Sequence, residues 1–150
     1  MRKLGWSVGV VVALALGGCG TVLYEVPVTQ RSDEWTITIK RLKDGPNRFP
    51  MGTVDFVPAE GRLLYLTVSI RNDSATKRDF SYDACDLDAG ADAILPGIID
   101  RDAAINMLGD KVESYDPGQE RGRRLIYTYP ATGYPTRVRC AHATFPLPRF

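Results

Sequence analysis

The residues in this chain that could do chemistry fall into a few groups, and their spacing decides what each group can do. Asp79, Asp83, Asp86, Asp88 and Asp92 crowd one short stretch, and Asp86-Leu87-Asp88-Ala89-Gly90-Ala91-Asp92 sets three carboxylates around a glycine turn. Calcium takes roughly six to eight oxygen ligands and tolerates flexible loops. Asp86, Asp88 and Asp92 are therefore candidate calcium ligands. The EF-hand order is incomplete, because Gly90 stands where a third acid belongs and no bidentate Glu follows. The same acids could attack a glycosidic bond only as a pair across a deep cleft, which a hairpin tip on a small domain offers poorly. His142 is the single histidine, so any Ser-His-Asp or Cys-His site must use it. Strand alternation puts it on the inner face with Val138 and Cys140. Arg121, Arg123 and Arg124 form a basic run, with Arg137 and Arg139 expected on a neighbouring strand. Arg123, Arg124, Arg137 and Arg139 are thus the candidates for contact with an anionic partner; edge-strand charge that blocks aggregation gives the same pattern.

The amino terminus bears a different kind of signal. Arg2 and Lys3 precede an uncharged run whose centre is Val10-Val11-Val12-Ala13-Leu14-Ala15-Leu16. The run is too short for the roughly 20 apolar residues that span a bilayer, and it ends in small residues, as secretory signal peptides do. Leu16-Gly17-Gly18-Cys19 resembles the bacterial lipobox, in which the Cys thiol is diacylated and the chain is cut just before it. That resemblance implies a signal peptide over 1–18 and lipidation of Cys19, with two or more acyl chains giving stable anchoring. Gly20, rather than Asp, follows the Cys, which resembles Gram-negative lipoproteins exported to the outer membrane, facing the periplasm. Gly5-Trp6-Ser7-Val8-Gly9 matches the nucleophile-elbow pattern, but it lies in the segment to be removed and lacks the strand and helix that motif needs.

Composition narrows the function classes. The 150 residues carry 19 basic and 18 acidic side chains, a formal charge of +1 that argues against a strongly basic nucleic-acid binder. Removing eighteen residues of the 150 leaves 132, and the loss of Arg2 and Lys3 takes the charge to −1. No cofactor motif is present. With Cys19 acylated, Cys85 and Cys140 remain as an even pair in an oxidising compartment, which reads as a disulfide. It would close a loop of about 56 residues, worth roughly 4 kcal/mol by chain entropy.

The elements that must hold these groups read as strands. Residues 19–32 form the lipidated Cys, a short tether and a possible first strand; 33–150 form the folded domain. Residues 34–40 alternate strictly, with Trp35, Ile37 and Ile39 on one face. Residues 53–57 form a short strand stopped by Pro58. Residues 62–72 are the strongest strand, with Leu64, Leu66, Val68 and Ile70 sharing a face. Asn72-Asp73-Ser74 matches a glycosylation sequon and marks a turn. Further strands are expected at 80–87, 93–95, 123–129 and 136–145. Residues 100–108 are expected as a short helix with Asp100 as N-cap and Gly109 just past its end. Seven or eight short strands with Gly/Pro turns predict an all-β, immunoglobulin-like β-sandwich.

Two stretches carry a family resemblance. Residues 64–74, followed by Phe80 and Cys85-Asp86-Leu87-Asp88-Ala89-Gly90, are one; Pro117-Gly118-Gln119-Glu120-Arg121-Gly122 with Leu125-Ile126-Tyr127-Thr128-Tyr129-Pro130 are the other. Together they resemble the secreted immunoglobulin-like domains of unknown function common in bacterial lipoproteins, over about residues 33–145. Arg123-Arg124 and the 96–110 insertion depart from that pattern. The resemblance implies a sandwich with an interaction role and supplies no catalytic residues. The expectation is a lipid-anchored, non-enzymatic envelope protein that binds a protein or envelope component. A calcium- or glycan-binding module and a periplasmic hydrolase are the alternatives.

Overall fold

The computed structural model describes residues 21–102 and 104–149. The expected signal peptide over 1–18 and the expected lipidation site Cys19 lie outside the described residues.

Among the described residues, every regular element but one is a strand. In chain order these are β1 (Val22–Tyr24), β2 (Val28–Ser32), β3 (Trp35–Asp44), β4 (Phe49–Met51), β5 (Val54–Phe56), β6 (Arg62–Asn72), β7 (Arg78–Ser81), β8 (Cys85–Ala89), β9 (Asp92–Ile94), β10 (Ile98–Asp102), β11 (Met107–Leu108), β12 (Val112–Tyr115), β13 (Glu120–Tyr129), β14 (Arg137–Cys140) and β15 (Ala143–Pro146). The exception is a single 3₁₀ turn, Tyr82–Ala84. No helix among the described residues is long and apolar enough to cross a membrane.

Two antiparallel sheets form the layers. The larger runs β1-β3-β6-β13-β10-β11, with β2 lying end to end with β1 along the same edge of β3; the smaller runs β15-β14-β8-β9. In chain order, β3-β6-β13-β10 against β15-β14-β8 is the A-B-E-D and G-F-C arrangement of immunoglobulin-type sandwiches. The expected sandwich is therefore present, assembled from more strands than the sequence suggested.

Alternation explains which residues fill it. Leu64, Leu66, Val68 and Ile70 of β6 enter the main core with Ile37, Ile39, Leu125, Tyr127, Leu87, Val138 and Phe145. A bulge in β3 between Ile39 and Arg41 inserts one residue, so Leu42 returns to the core face. The opposite face of β6 is also buried at one end. There the β4–β5 hairpin lays Phe49, Met51 and Phe56 over Leu63, Tyr65, Ile126 and Ile98. Trp35 is half-buried at the far end, edge-on to Phe80 at 4.9 Å and to Tyr115 at 5.5 Å.

Three expectations are corrected. In place of the helix expected over 100–108, β10 and β11 pair antiparallel, and Ile98, Ile99 and Asp100 of β10 pair with Ile126, Leu125 and Arg124. The free edge of β13 and an Asp100–Arg124 ion pair at 2.6 Å decide the matter, so Asp100 caps no helix. The expected strand over 80–87 is broken by the 3₁₀ turn, where the chain passes from β7 into the smaller sheet at β8. The expected strand over 136–145 is two strands folded back at Ala141-His142, with Ala141 at φ 53°. That reversal removes His142 from the inner face: its side chain is 81% exposed, 3.8 Å from the exposed carboxylate of Asp33.

Candidate functional site

Strand β13 turns its arginines to two different faces. Leu125, Tyr127 and Tyr129 point into the main core. The same alternation sends Arg121 and Arg123 to that inner side and Arg124 to the outer one. On the inner side β12 pairs with β7 and brings Glu113 to meet them. Arg123 grips Glu113 with two donors, Nε to Oε2 at 2.9 Å and Nη2 to Oε1 at 3.1 Å, and both side chains are only 9% exposed. Tyr82 donates its hydroxyl to Glu113 at 2.6 Å and shares a second 2.6 Å contact with the Tyr115 hydroxyl. Arg121 stands 3.7 Å from the same carboxylate with its guanidinium 4.8 Å over the Tyr115 ring, and Arg101 of β10 stands 3.8 Å away.

One carboxylate thus sits among three guanidinium groups. Burial alone would push the Glu113 carboxyl up, but the hydrogen bonds from Arg123 and Tyr82 and the charges of Arg123 and Arg121 outweigh it, and its pKa is lowered. Desolvation, then the bond to Glu113, drives the Tyr82 hydroxyl far above its ordinary value. The cluster carries two more positive charges than negative ones. Arg121 is 28% exposed and Arg101 51%, so that surplus faces solvent. Chemically the arrangement is suited to receive carboxylate or phosphate oxygens beside apolar surface. Next to Arg101, the β10–β11 edge exposes Ile105, Met107 and Leu108, and Val112 is exposed at the start of β12.

Arg124 and Arg139 are committed elsewhere. Arg124 binds buried Asp100, donates to Asn106 Oδ1 at 2.7 Å and stacks over Tyr65 at 4.9 Å. Arg139 pairs with Asp86 at 3.0 Å. Arg137 and Arg139 do share one exposed face of β14, as alternation predicts, but β14 neighbours β15 and β8 rather than β13, so they do not join Arg123 and Arg124.

The acidic cluster is also dispersed. Asp86 and Asp88 lie on one face of β8, whereas Asp92 stands opposite Ala89 and so shares the other face. Asp88 accepts from Thr136 N at 2.8 Å, Thr136 Oγ1 at 2.5 Å and Arg137 N at 2.8 Å. These bonds outweigh burial and lower its pKa. Asp79 accepts from Ser114 Oγ and Asp83 pairs with Lys111. Among the described residues no group of three or more His, Cys, Asp or Glu is placed to hold a metal ion. Asp86, Asp88 and Asp92 therefore do not assemble as a calcium site.

Cys85 and Cys140 are disulfide-bonded. They face each other directly on β8 and β14, within one sheet. Antibody domains instead bridge the two sheets from strand B to strand F. Asn72 is fully buried; its amide donates to Thr76 O at 2.9 Å and Tyr115 O at 3.0 Å and accepts from Ser74 N at 2.9 Å. Those bonds make the sequon a turn anchor.

No family model matches the chain, and no curated protein matches it. A solved structure described as a functionally unknown protein from Listeria monocytogenes EGD-e is similar, at 16% identity and a TM-score of 0.49, over 76% of this chain and 69% of that one.

Glu113, Arg101, Tyr82 and Tyr115 are the members of the cluster that sequence reasoning missed. Val112-Glu113-Ser114-Tyr115 does alternate, and that was the available signal.

Proposed function

We propose that this chain is a lipid-anchored cell-envelope lipoprotein, in a Gram-negative host on the outer membrane facing the periplasm, that binds a partner protein rather than turning over a substrate. The observation that carries the reading is Leu16-Gly17-Gly18-Cys19 at the end of an uncharged apolar run behind Arg2 and Lys3. A disulfide between Cys85 and Cys140 supports it, because such bonds persist in oxidising compartments. The exposed edge of Ile105, Met107 and Leu108 beside Arg101 and Arg121 supports a binding role, since an apolar patch with charge at its border is the usual form of a docking surface. The charge surplus around Glu113 selects a partner with carboxylates at its rim.

Palmitate labelling tests the anchor: wild type incorporates label and Cys19→Ser does not. Equal labelling of both refutes lipidation at Cys19. Cross-linking in intact envelopes tests the surface. Wild type captures a defined protein, and Leu108→Asp with Arg101→Glu loses it; capture of the same protein by both forms rules that edge out.

A further inference from the structure

We infer that one particular end of the sandwich rests on the bilayer: the end built from the 44–47 turn, Gly61-Arg62 and the 130–135 loop. The inference depends on the lipobox reading and adds an orientation to it.

The tether sets the distance. Cys19 is two residues from Thr21, and two extended residues span at most about 7 Å. Thr21 is already part of the fold, because its carbonyl accepts the Asp44 amide at 2.8 Å and the next residue opens β1. The headgroup zone is itself about 5–7 Å deep on each side of the hydrocarbon. Acyl chains on Cys19 therefore bring the Thr21–Asp44 junction to headgroup level.

Contacts then define what else lies at that level. The Asp44 carboxylate meets Arg62 Nε at 3.5 Å. Arg62 donates to Pro130 O at 2.8 Å and Gly133 O at 2.5 Å, and its guanidinium lies 5.4 Å from the Tyr129 ring centre and 4.7 Å from that of Tyr134. Gly61, at φ 81°, packs so closely on Tyr129 O that a Cβ there would sit 2.2 Å from it. One arginine thus ties the tether junction to the 130–135 loop. Tyr134, 43% exposed, lines a hollow with Pro135, Pro148 and Arg149. Tyrosine is enriched at membrane interfaces, where its ring sits between tails and water, and Arg149 beside it places a cation at phosphate level. The opposite end, with Asp33 and His142, is roughly 30 Å away along β3 at 3.3 Å per residue. The exposed β10–β11 edge and the Glu113 cluster are then left facing water.

The test uses the mature acylated chain in vesicles of phosphatidylethanolamine and phosphatidylglycerol whose tails are brominated. Tyr134→Trp and His142→Trp are compared, with Trp35 as the common background at the far end. Quenching confined to Tyr134→Trp is the expected result. Quenching at His142→Trp, or at neither site in palmitate-labelled protein, overturns the orientation and leaves the anchor standing. Absence of palmitate label defeats the lipobox reading and this inference with it. Hydrogen exchange on the unsubstituted chain gives a second readout. Amides of 44–47 and 130–135 are slowed on vesicles relative to unacylated 20–150 protein in solution, while those of 73–77 are not; equal rates at both ends contradict the orientation.

Discussion

A carboxylate held among three guanidinium groups is costly to bury and more costly to lose. Glu113 is almost wholly desolvated, and Arg123 shares that burial. Replacing Glu113 by Gln keeps the volume and removes the charge, which leaves Arg101, Arg121 and Arg123 to repel one another with no counter-ion. Breaking a buried pair from one side typically costs about 3–5 kcal/mol. Glu113→Gln is expected to lose at least about 3 kcal/mol in urea unfolding, with little change in the slope of the transition. A loss within the range of an exposed pair, below about 1 kcal/mol, would show that solvent reaches the cluster. At this scale the sequence was legible for single residues and silent on their partners. Asn72 as a turn residue and the Cys85–Cys140 bond could be read directly. The commitment of Arg139 to Asp86 and of Arg124 to Asp100 could not, because the register that creates each pair joins segments far apart in the chain.

Elements show the same division between local and non-local information. The strands at 34–40, 62–72 and 123–129 were readable because their period-2 patterns face one continuous core. The hairpin at 98–108 was misread as a helix because Ala104, Ile105 and Leu108 also suit helical spacing, while the partner that selects a strand is the edge of β13. His142 was misplaced because a two-residue reversal inside an apparently continuous strand inverts every later side chain. The disulfide belongs to this scale as well. It staples two adjacent strands of the smaller sheet, where β14 is otherwise joined to β8 over three register positions, Val138 with Leu87 through Cys140 with Cys85. The bonded residues are 55 positions apart in the chain, so the chain-entropy model puts the bond at roughly 4 kcal/mol. Cys85→Ala with Cys140→Ala is therefore expected to lose about that much in denaturant, and the loss should appear in the wild type when reductant is added. Insensitivity of the wild type to reductant under unfolding conditions would mean that the bond is not formed.

For the molecule as a whole, the titrating groups tie its parts together and set the pH range in which it holds. Glu113 joins β12 to β13. Asp73 joins the turn after β6 back to β3, through hydrogen bonds from Thr36 and Arg71 that lower its pKa. Asp88 joins β8 to the start of β14, and its pKa is lowered as well. A carboxyl whose folded pKa lies below its unfolded value gives stability that is complete above about 4 and lost as pH falls from there through the folded values. The buried tyrosines act at the other limit. Desolvation raises the hydroxyls of Tyr82, Tyr115, Tyr127 and Tyr129, with the bond to Glu113 adding to the effect at Tyr82. Their contribution is complete below the unfolded value near 10 and lost as pH climbs beyond it. Thermal midpoints should therefore be level between about pH 5 and pH 9 and fall on both sides. The acid fall should be shallower in Glu113→Gln, because that protein has already lost the charge whose protonation drives it. An unchanged acid limb in this variant would assign the acid sensitivity to Asp73 and Asp88 instead. A midpoint that rose as pH dropped below 4 would contradict the three carboxylate ties together.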